Sequence, residues 1–382
     1  MRIAILLLNS GRGSGEVARA HSRHLVDAHH EVVFMHPNLG AGVPGCRNVD
    51  IELPTEIMPV HEYLPSAGAA QKPVSSMSFD EAMAYTARYE AALESVVDDV
   101  DIVIGHHANL CAIATARVAQ RHSKPYVLFL HGTGIEPRHT GGYDDDVWAE
   151  IESAIVHASG LLTTTRYVRD ELVRSLVAVP EERFLILPCG VDLEEFHPDR
   201  AGDMAARYDL PLRYVICPGA LVAAKGPQNV VAASVHYASI APTIFIGDGE
   251  LRAELTQELG ERGRFLGFVS SEDKAKLING ATILAAAPEK KEHFGIIYVE
   301  ALAGGTVPVA YEGGGVASII TKEVGVLTNR DPVALGNAVA GLLKDDDRRK
   351  DMALAGRARA EAKYHYPTLV NDLVSWLQQR RL

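Results

Sequence analysis

The sequence is poor in cysteine, with Cys46, Cys111, Cys189 and Cys217 widely spaced along 382 residues and no C-x-x-C pair. Such spacing suggests neither a disulfide framework nor a zinc site, and four reduced thiols are expected. It also lacks a basic excess. Thirty-seven Lys and Arg against 49 Asp and Glu leave a net charge of −12. This argues against broad nucleic-acid binding or steady adsorption to anionic lipid, since either needs a surface that neutralises phosphates. Long apolar runs are missing too. The run Ile3 to Leu8 is too short for a membrane span or a signal segment, and Asn9-Ser10-Gly11 follows it at once. The expectation is a first β-strand of a cytoplasmic protein without a transmembrane segment. Repeats of solenoid length and low-complexity tracts are likewise absent.

What the chain does have is the balance of a well-buried globular protein, 47% hydrophobic and 23% charged residues. Its length exceeds one ordinary core, so two packed domains are expected. Short all-apolar runs recur between helical stretches at Ile3–Leu8, Val32–Met35, Ile102–Ile104, Tyr126–Leu130, Leu161–Thr164 and Phe184–Leu187. A second series follows at Tyr214–Cys217, Thr243–Ile246, Arg264–Phe268, Thr282–Ala286, Val307–Ala310 and Gly325–Leu327. Runs of this kind are buried parallel strands, and two doubly wound α/β halves result. Pro188, Pro198 and Pro211 bracket an acidic stretch that reads as the linker, dividing the chain into residues 1–195 and 196–364. Residues Pro54 to Ser78 lack a period and read as a long loop. Leu369, Val370, Leu373, Val374 and Leu377 have helical spacing, so a final helix within 365–382 is expected to pack back onto the first half.

Two segments carry candidate chemistry. Gly11-Arg12-Gly13-Ser14-Gly15-Glu16 lies between the first strand and a helix beginning near Glu16, a place where backbone N–H groups meet anions. A dinucleotide site would want an acidic residue at the end of the second strand, but that strand ends in His36-Pro37-Asn38. The other segment runs from Pro288 to Leu302 and holds Glu292 and Glu300 on either side of Gly295, which is expected to open a helix ending at Gly304-Gly305. Glu300 then stands about 7.5 Å along the helix axis. Carboxylates so placed accept hydrogen bonds from hydroxyls and stabilise positive charge at an anomeric carbon. Two solvated glutamates on a helix surface would give the same spacing.

The segment from Glu292 to Glu300 resembles the glutamate-x7-glutamate motif of the retaining GT-B glycosyltransferases of family 4. The resemblance covers nearly the whole chain. Leu162-Thr163-Thr164-Thr165, Leu187-Pro188-Cys189-Gly190-Val191-Asp192, Pro218-Gly219 with Lys225-Gly226, Ile246-Gly247-Asp248-Gly249, Phe265-Leu266-Gly267-Phe268-Val269 and Gly313-Gly314-Gly315 follow in family order. Cys189 stands where the family usually has Asn. The fold implied is GT-B, two Rossmann-like domains facing across a cleft.

The resemblance further implies that Glu300 holds the donor ribose, and that Glu292 with the backbone of His293, Phe294 and Gly295 holds the donor sugar. Lys225 would meet the diphosphate, the strip Gly267, Phe268 and Val269 the base, and Ser14 and Gly15 the diphosphate from the first domain. His131 matches an acceptor-side histidine. The implied catalytic set is Glu292, His131 and Lys225, and the implied partners are a UDP-, GDP- or ADP-sugar and a small-molecule or glycan acceptor. No cofactor or essential metal is implied, although the histidine pair His106-His107 and the set His131, Glu136 and His139 invite the question. One departure matters: the arginine usual after the strand glycine is Ala220 here. A GT-B nucleotide-sugar epimerase and a noncatalytic nucleotide-sugar-binding protein are the competing readings.

Overall fold

The computed structural model describes residues 1–9, 13–37, 42–62 and 70–380. It divides into two compact units, one of residues 1–188 and 366–382 and the other of residues 189–365. Each is built on a parallel sheet. The first contains β1 (Arg2–Leu6), β2 (Glu31–His36), β3 (Arg47–Asp50), β6 (Ile102–His106), β7 (Tyr126–Leu130), β8 (Gly160–Thr163) and β9 (Phe184–Ile186), with β4 (Met58–Val60) and β5 (Gln71–Pro73) paired apart from it. The strand order is β3-β2-β1-β6-β7-β8-β9. The second sheet contains β10 (Val215–Pro218), β11 (Thr243–Ile246), β12 (Gly263–Phe265), β13 (Ile283–Ala286), β14 (Val307–Tyr311) and β15 (Val326–Thr328), ordered β12-β11-β10-β13-β14-β15. Both orders reverse direction once, beside β1 and beside β10. Both are therefore Rossmann-like, and each has one topological switch point.

The central strands are continuous apolar runs because helices cover both faces. β6, β7 and β8 are buried at every position, and each fully buried leucine or valine contributes about 1.5–3 kcal/mol. Edge strands need no such run, which is why β3, polar and largely exposed, gives no sequence signal. The stretch from Pro54 to Ser78, expected as loop, contains β4 and β5 instead. Pro59 and Pro73 sit in these strands, and proline normally argues against strand. The strand expected over Arg264–Phe268 stops at Phe265, because the chain turns at Gly267.

The unit boundary falls at Pro188–Cys189 rather than at 195–196. Residues after Cys189 belong with the second unit because Val191 donates its N–H to Tyr364 O at 2.8 Å and bridges His365. The chain then returns to the first unit as the helix Tyr366–Arg380, burying Leu369, Val370, Leu373, Trp376 and Leu377. Trp376 packs so closely on Gly160 that a Cβ there would lie 2.4 Å from the indole. No helix among the described residues is long and apolar enough to cross a membrane.

Candidate functional site

In the second unit, β10 and β13 are neighbours but pair only at Val215–Ile283 and Ile216–Leu284. Past those pairs their carboxyl ends are free to part, and the crevice there is where doubly wound sheets bind ligands. A pocket at this place is lined by Gly219, Ala220, Lys225, Pro288, Glu292 and Tyr298, among others. The turn Ala223–Lys225 precedes Gly226, whose φ of 67° is left-handed. A Cβ on Gly226 would approach Ala287 O to 1.8 Å, so only glycine lets this turn meet the end of β13. The amides of Glu289 and Lys290 donate to Ala224 O at 3.1 and 3.2 Å, and Asn229 Nδ2 donates to Ala287 O at 3.1 Å. The two loops are thereby tied together.

That tie brings Lys225 and Glu292 into contact. Lys225 Nζ donates to Glu292 Oε1 at 2.9 Å, with the lysine half-exposed and the carboxylate 21% exposed. The backbone of Glu292 is held from its other side, where its carbonyl accepts the Gly315 N–H at 2.7 Å. Gly314 must be glycine for this: its φ is 63°, and a Cβ would sit 2.2 Å from Glu292 O.

Gly295 caps the helix Ile296–Ala303 at its N-terminus and Gly304 caps its end, as the sequence predicts. Glu300 lies in this helix but not on a solvated surface. It is 7% exposed, within an otherwise apolar sequence. Lys274 Nζ donates to its Oε1 at 2.6 Å, while Oε2 is buried without a hydrogen-bond partner. Sequence reasoning missed Lys274, which nothing in the spacing connects to Glu300. His293 is half-buried and Phe294 buried, with its ring 6.1 Å from that of Tyr364. In the strip after β12, Gly267 O accepts the Gly247 N–H at 2.8 Å and Phe268 is 63% exposed.

The first unit holds Ser14, Gly15 and His131. Ser14 and Gly15 open the helix Ser14–Asp27, two residues earlier than the expected start near Glu16, while Gly11 and Arg12 fall outside the described residues. His131 follows β7 and is buried, 7% exposed. Its Nε2 shares a hydrogen bond of 3.0 Å with Nδ1 of His106, and its ring stacks on Phe129 at 4.0 Å. His107 lies 4.6 Å from His131 and 3.8 Å from His61, ring centre to ring centre. His61 comes from the stretch expected to be a long loop. His107 directly follows β6, at the switch point, with a φ of 70°. A non-glycine residue there costs about 1–3 kcal/mol and is typical of functional positions.

Burial lowers the pKa of three histidines at or near this cluster, His106, His61 and His21. Desolvation pushes the His106 imidazolium down to about 3, helped by His21, and pushes His21 itself down to about 4. Both rings are neutral at physiological pH. The side chains of His131, Glu136 and His139 form no metal-holding group, and His139 Nε2 lies 3.0 Å from Leu172 O. Among the described residues no three His, Cys, Asp or Glu side chains form a group able to hold a metal ion.

Models of two families match the chain, Glycosyltransferase Family 4 over residues 11–195 and Glycosyl transferases group 1 over residues 208–359. The chain belongs to the family 4 glycosyltransferases. A D-inositol 3-phosphate glycosyltransferase of Xylanimonas cellulosilytica is 31% identical over 228 residues, 54% of this chain and 54% of that relative, so the match spans about half its length. The sucrose-phosphate synthase of Thermosynechococcus elongatus superposes with a TM-score of 0.79 at 18% identity, covering 99% of this chain and 98% of that one. HepE of Anabaena, solved in complex with UDP-glucose, gives 0.74 at 17% identity and covers 99% and 100%. These likenesses establish the GT-B fold class of this family 4 member.

Proposed function

We propose that the chain is a retaining glycosyltransferase that moves a sugar from a nucleoside-diphosphate sugar to an acceptor hydroxyl. The observation that carries the reading is the Lys225–Glu292 pair at the switch point of the second sheet. Lys225 is placed to balance charge on a departing diphosphate, the main electrostatic task when a glycosyl–phosphate bond breaks. Glu292 is placed to hold the sugar while its anomeric carbon becomes positive. The acceptor oxygen then bonds to that carbon on the face the phosphate leaves, and the leaving phosphate takes the acceptor proton. Glu300, with one buried oxygen unpartnered, takes a donor hydroxyl. A UDP-, GDP- or ADP-sugar fits this chemistry, and the UDP-glucose bound by HepE makes UDP-sugars the first to test.

No divalent metal enters this scheme, since Lys225 supplies the cation, and turnover is expected to survive chelation by EDTA. The free cysteines, three of them buried, suit the cytoplasmic setting that we propose. The acceptor is a small-molecule or glycan hydroxyl, and inositol 3-phosphate, the substrate named for the Xylanimonas relative, heads the candidates. A noncatalytic binding protein is the second reading, favoured by Ala220, which is exposed at the pocket where a further cation would help.

Thermal-shift screening with UDP-, GDP-, ADP- and dTDP-sugars identifies the donor, because a ligand of the folded state raises Tm. With that donor, Glu300→Ala is expected to weaken binding by about 1.5–3 kcal/mol, the worth of a charged hydrogen-bond partner. Glu292→Ala mainly lowers turnover. Wild-type kinetics in both variants would overturn the assignment, and donor binding without turnover toward any acceptor or water would establish the binding protein.

A further inference from the structure

Glu300 presents an unusual arrangement for a carboxylate. The helix around it reads Ile-Ile-Tyr-Val-Glu-Ala-Leu-Ala, and Tyr298, Val299, Ala301, Leu302 and Ala303 are buried with it. A carboxylate in such surroundings needs a counter-charge and donors for both oxygens. Only one oxygen has them. Oε1 accepts from Lys274 Nζ at 2.6 Å, and Oε2, buried, accepts from nothing among the described residues.

Lys274 is itself held. It belongs to the helix Ser271–Asn279, which directly follows the strip Gly267–Val269 and is capped by Ser270, whose hydroxyl accepts the Asp273 N–H at 3.0 Å. Its ammonium lies 5.9 Å from the centre of the Phe196 ring, within cation–π reach. The ion pair therefore fixes the helix after the base strip to the helix after Gly295. Its rigidity fixes the direction of Oε2 as well, since a carboxylate with one oxygen anchored cannot swing the other.

We infer that Lys274 is a positioning residue for donor recognition: by anchoring Oε1 it leaves Oε2 of Glu300 as a single, fixed acceptor for one ribose hydroxyl, and so makes the protein discriminate ribonucleotides from their 2′-deoxy counterparts. This rests on the reading of Glu300 as a donor-site residue. A site built to accept a hydroxyl proton rejects the analogue lacking it, because the buried charged oxygen is then left unpaired. If Lys274 were instead a structural brace, its loss would lower stability and leave the preference between the two sugars unchanged.

The test compares the Kd values of UDP, GDP and ADP with those of their 2′-deoxy forms, measured calorimetrically on the full chain, for wild type, Lys274→Met and Lys274→Arg. Thermal unfolding checks that each variant is folded. The expected result is at least a tenfold preference for the ribo form of whichever nucleotide binds in wild type. In Lys274→Met the preference collapses to within twofold, through weaker ribonucleotide binding, and Lys274→Arg restores most of it. Should Lys274→Met prove too unstable, Lys274→Gln serves the same comparison. An unchanged ratio in the folded Met or Gln variant overturns the inference while leaving the donor site standing, as does a wild type that binds both sugars alike. Failure of wild type to bind any of the six nucleotides overturns the donor-site reading and the inference with it.

Discussion

The two units have the same sheet plan and use opposite chemistry at its edge. In the first unit the polar side chains buried around the switch point are imidazoles and an amide: His106, His107, His131 and Asn109 are all at most 7% exposed, His106 is held neutral by burial, and no Asp, Glu, Lys or Arg is among the buried residues described there. In the second, carboxylates are buried or half-buried against cations, Glu300 with Lys274, Glu292 with Lys225 and Asp273 with Arg207. An imidazole can be buried neutral at little cost, whereas a carboxylate stays charged and must be paired. The first edge thus gathers neutral hydrogen-bonding groups, and the second gathers paired charges. The comparison teaches that a shared topology places the site while side-chain charge decides its task.

The largest expected difference between the units appears on acidification. His21 and His106 have folded values of about 4 and about 3, below the ordinary 6.5. Between those values and 6.5 the unfolded chain binds more protons, so stability rises with pH across that window and is lost as pH falls through it. From pH 7 to pH 5 each histidine is expected to withdraw about 2 kcal/mol. Urea unfolding followed by hydrogen exchange should show the first unit opening at pH 5 while the second holds. Equal loss in both units, or none, would remove the neutral-imidazole half of the contrast.

Next in size is the charge on the second edge. Lys225→Ala is expected to cut turnover by roughly two to three powers of ten, as losing one preorganised electrostatic donor does. Lys225→Gln should behave nearly alike, since length without charge does not balance a diphosphate. Near-full turnover in steady-state assays of Lys225→Ala would show that another cation takes this role.

His131→Ala tests whether the first edge takes part in chemistry at all. Its sequence position predicts a cleft residue whose removal leaves Tm nearly unchanged. The structure adds a stability cost, because the ring is buried, stacked on Phe129 and bonded to His106. Transfer is expected to fall at least tenfold, on top of a stability loss of about 1–3 kcal/mol from leaving a buried partner unpaired. Activity per folded molecule that matches wild type, with stability corrected by melting curves, would reduce His131 to a core residue.

The smallest expected effect comes from adding charge. Ala220 is exposed beside Lys225 and Glu292, so Ala220→Arg has room. It should leave Tm within about a degree or two, as surface substitutions do, and tighten nucleoside-diphosphate binding several-fold. Unaltered affinity in a calorimetric titration would mean that the space beside Lys225 does not meet the diphosphate.

How far the sequence led differs between fold and site. Nine of the twelve apolar runs are inner strands, where parallel pairing covered on both faces leaves little room for a polar residue, and the other three, β9, β12 and β15, are half-buried edge strands. The edge strand β3 and the β4–β5 pair were illegible for the converse reason, since partly exposed strands obey no such rule. The glycines at Gly226, Gly295 and Gly314 marked turns that only glycine can make, and the spacing of Glu292 and Glu300 about Gly295 put both beside one helix start. These are local properties, settled by residues within a few positions of one another.

The partners were not local. Lys225 and Glu292 are 67 residues apart, Lys274 and Glu300 26, and His106 and His131 25. No periodicity spans such distances. They meet because parallel pairing aligns the carboxyl ends of successive strands, so that loops distant in sequence emerge at one edge of the sheet. The sequence by itself determined the two doubly wound halves and the acidic motif, through burial and backbone geometry. Only the tertiary structure decided which oxygen of Glu300 is anchored, which cation faces Glu292 and which histidines are neutral, because these follow from burial and through-space charge rather than from order along the chain.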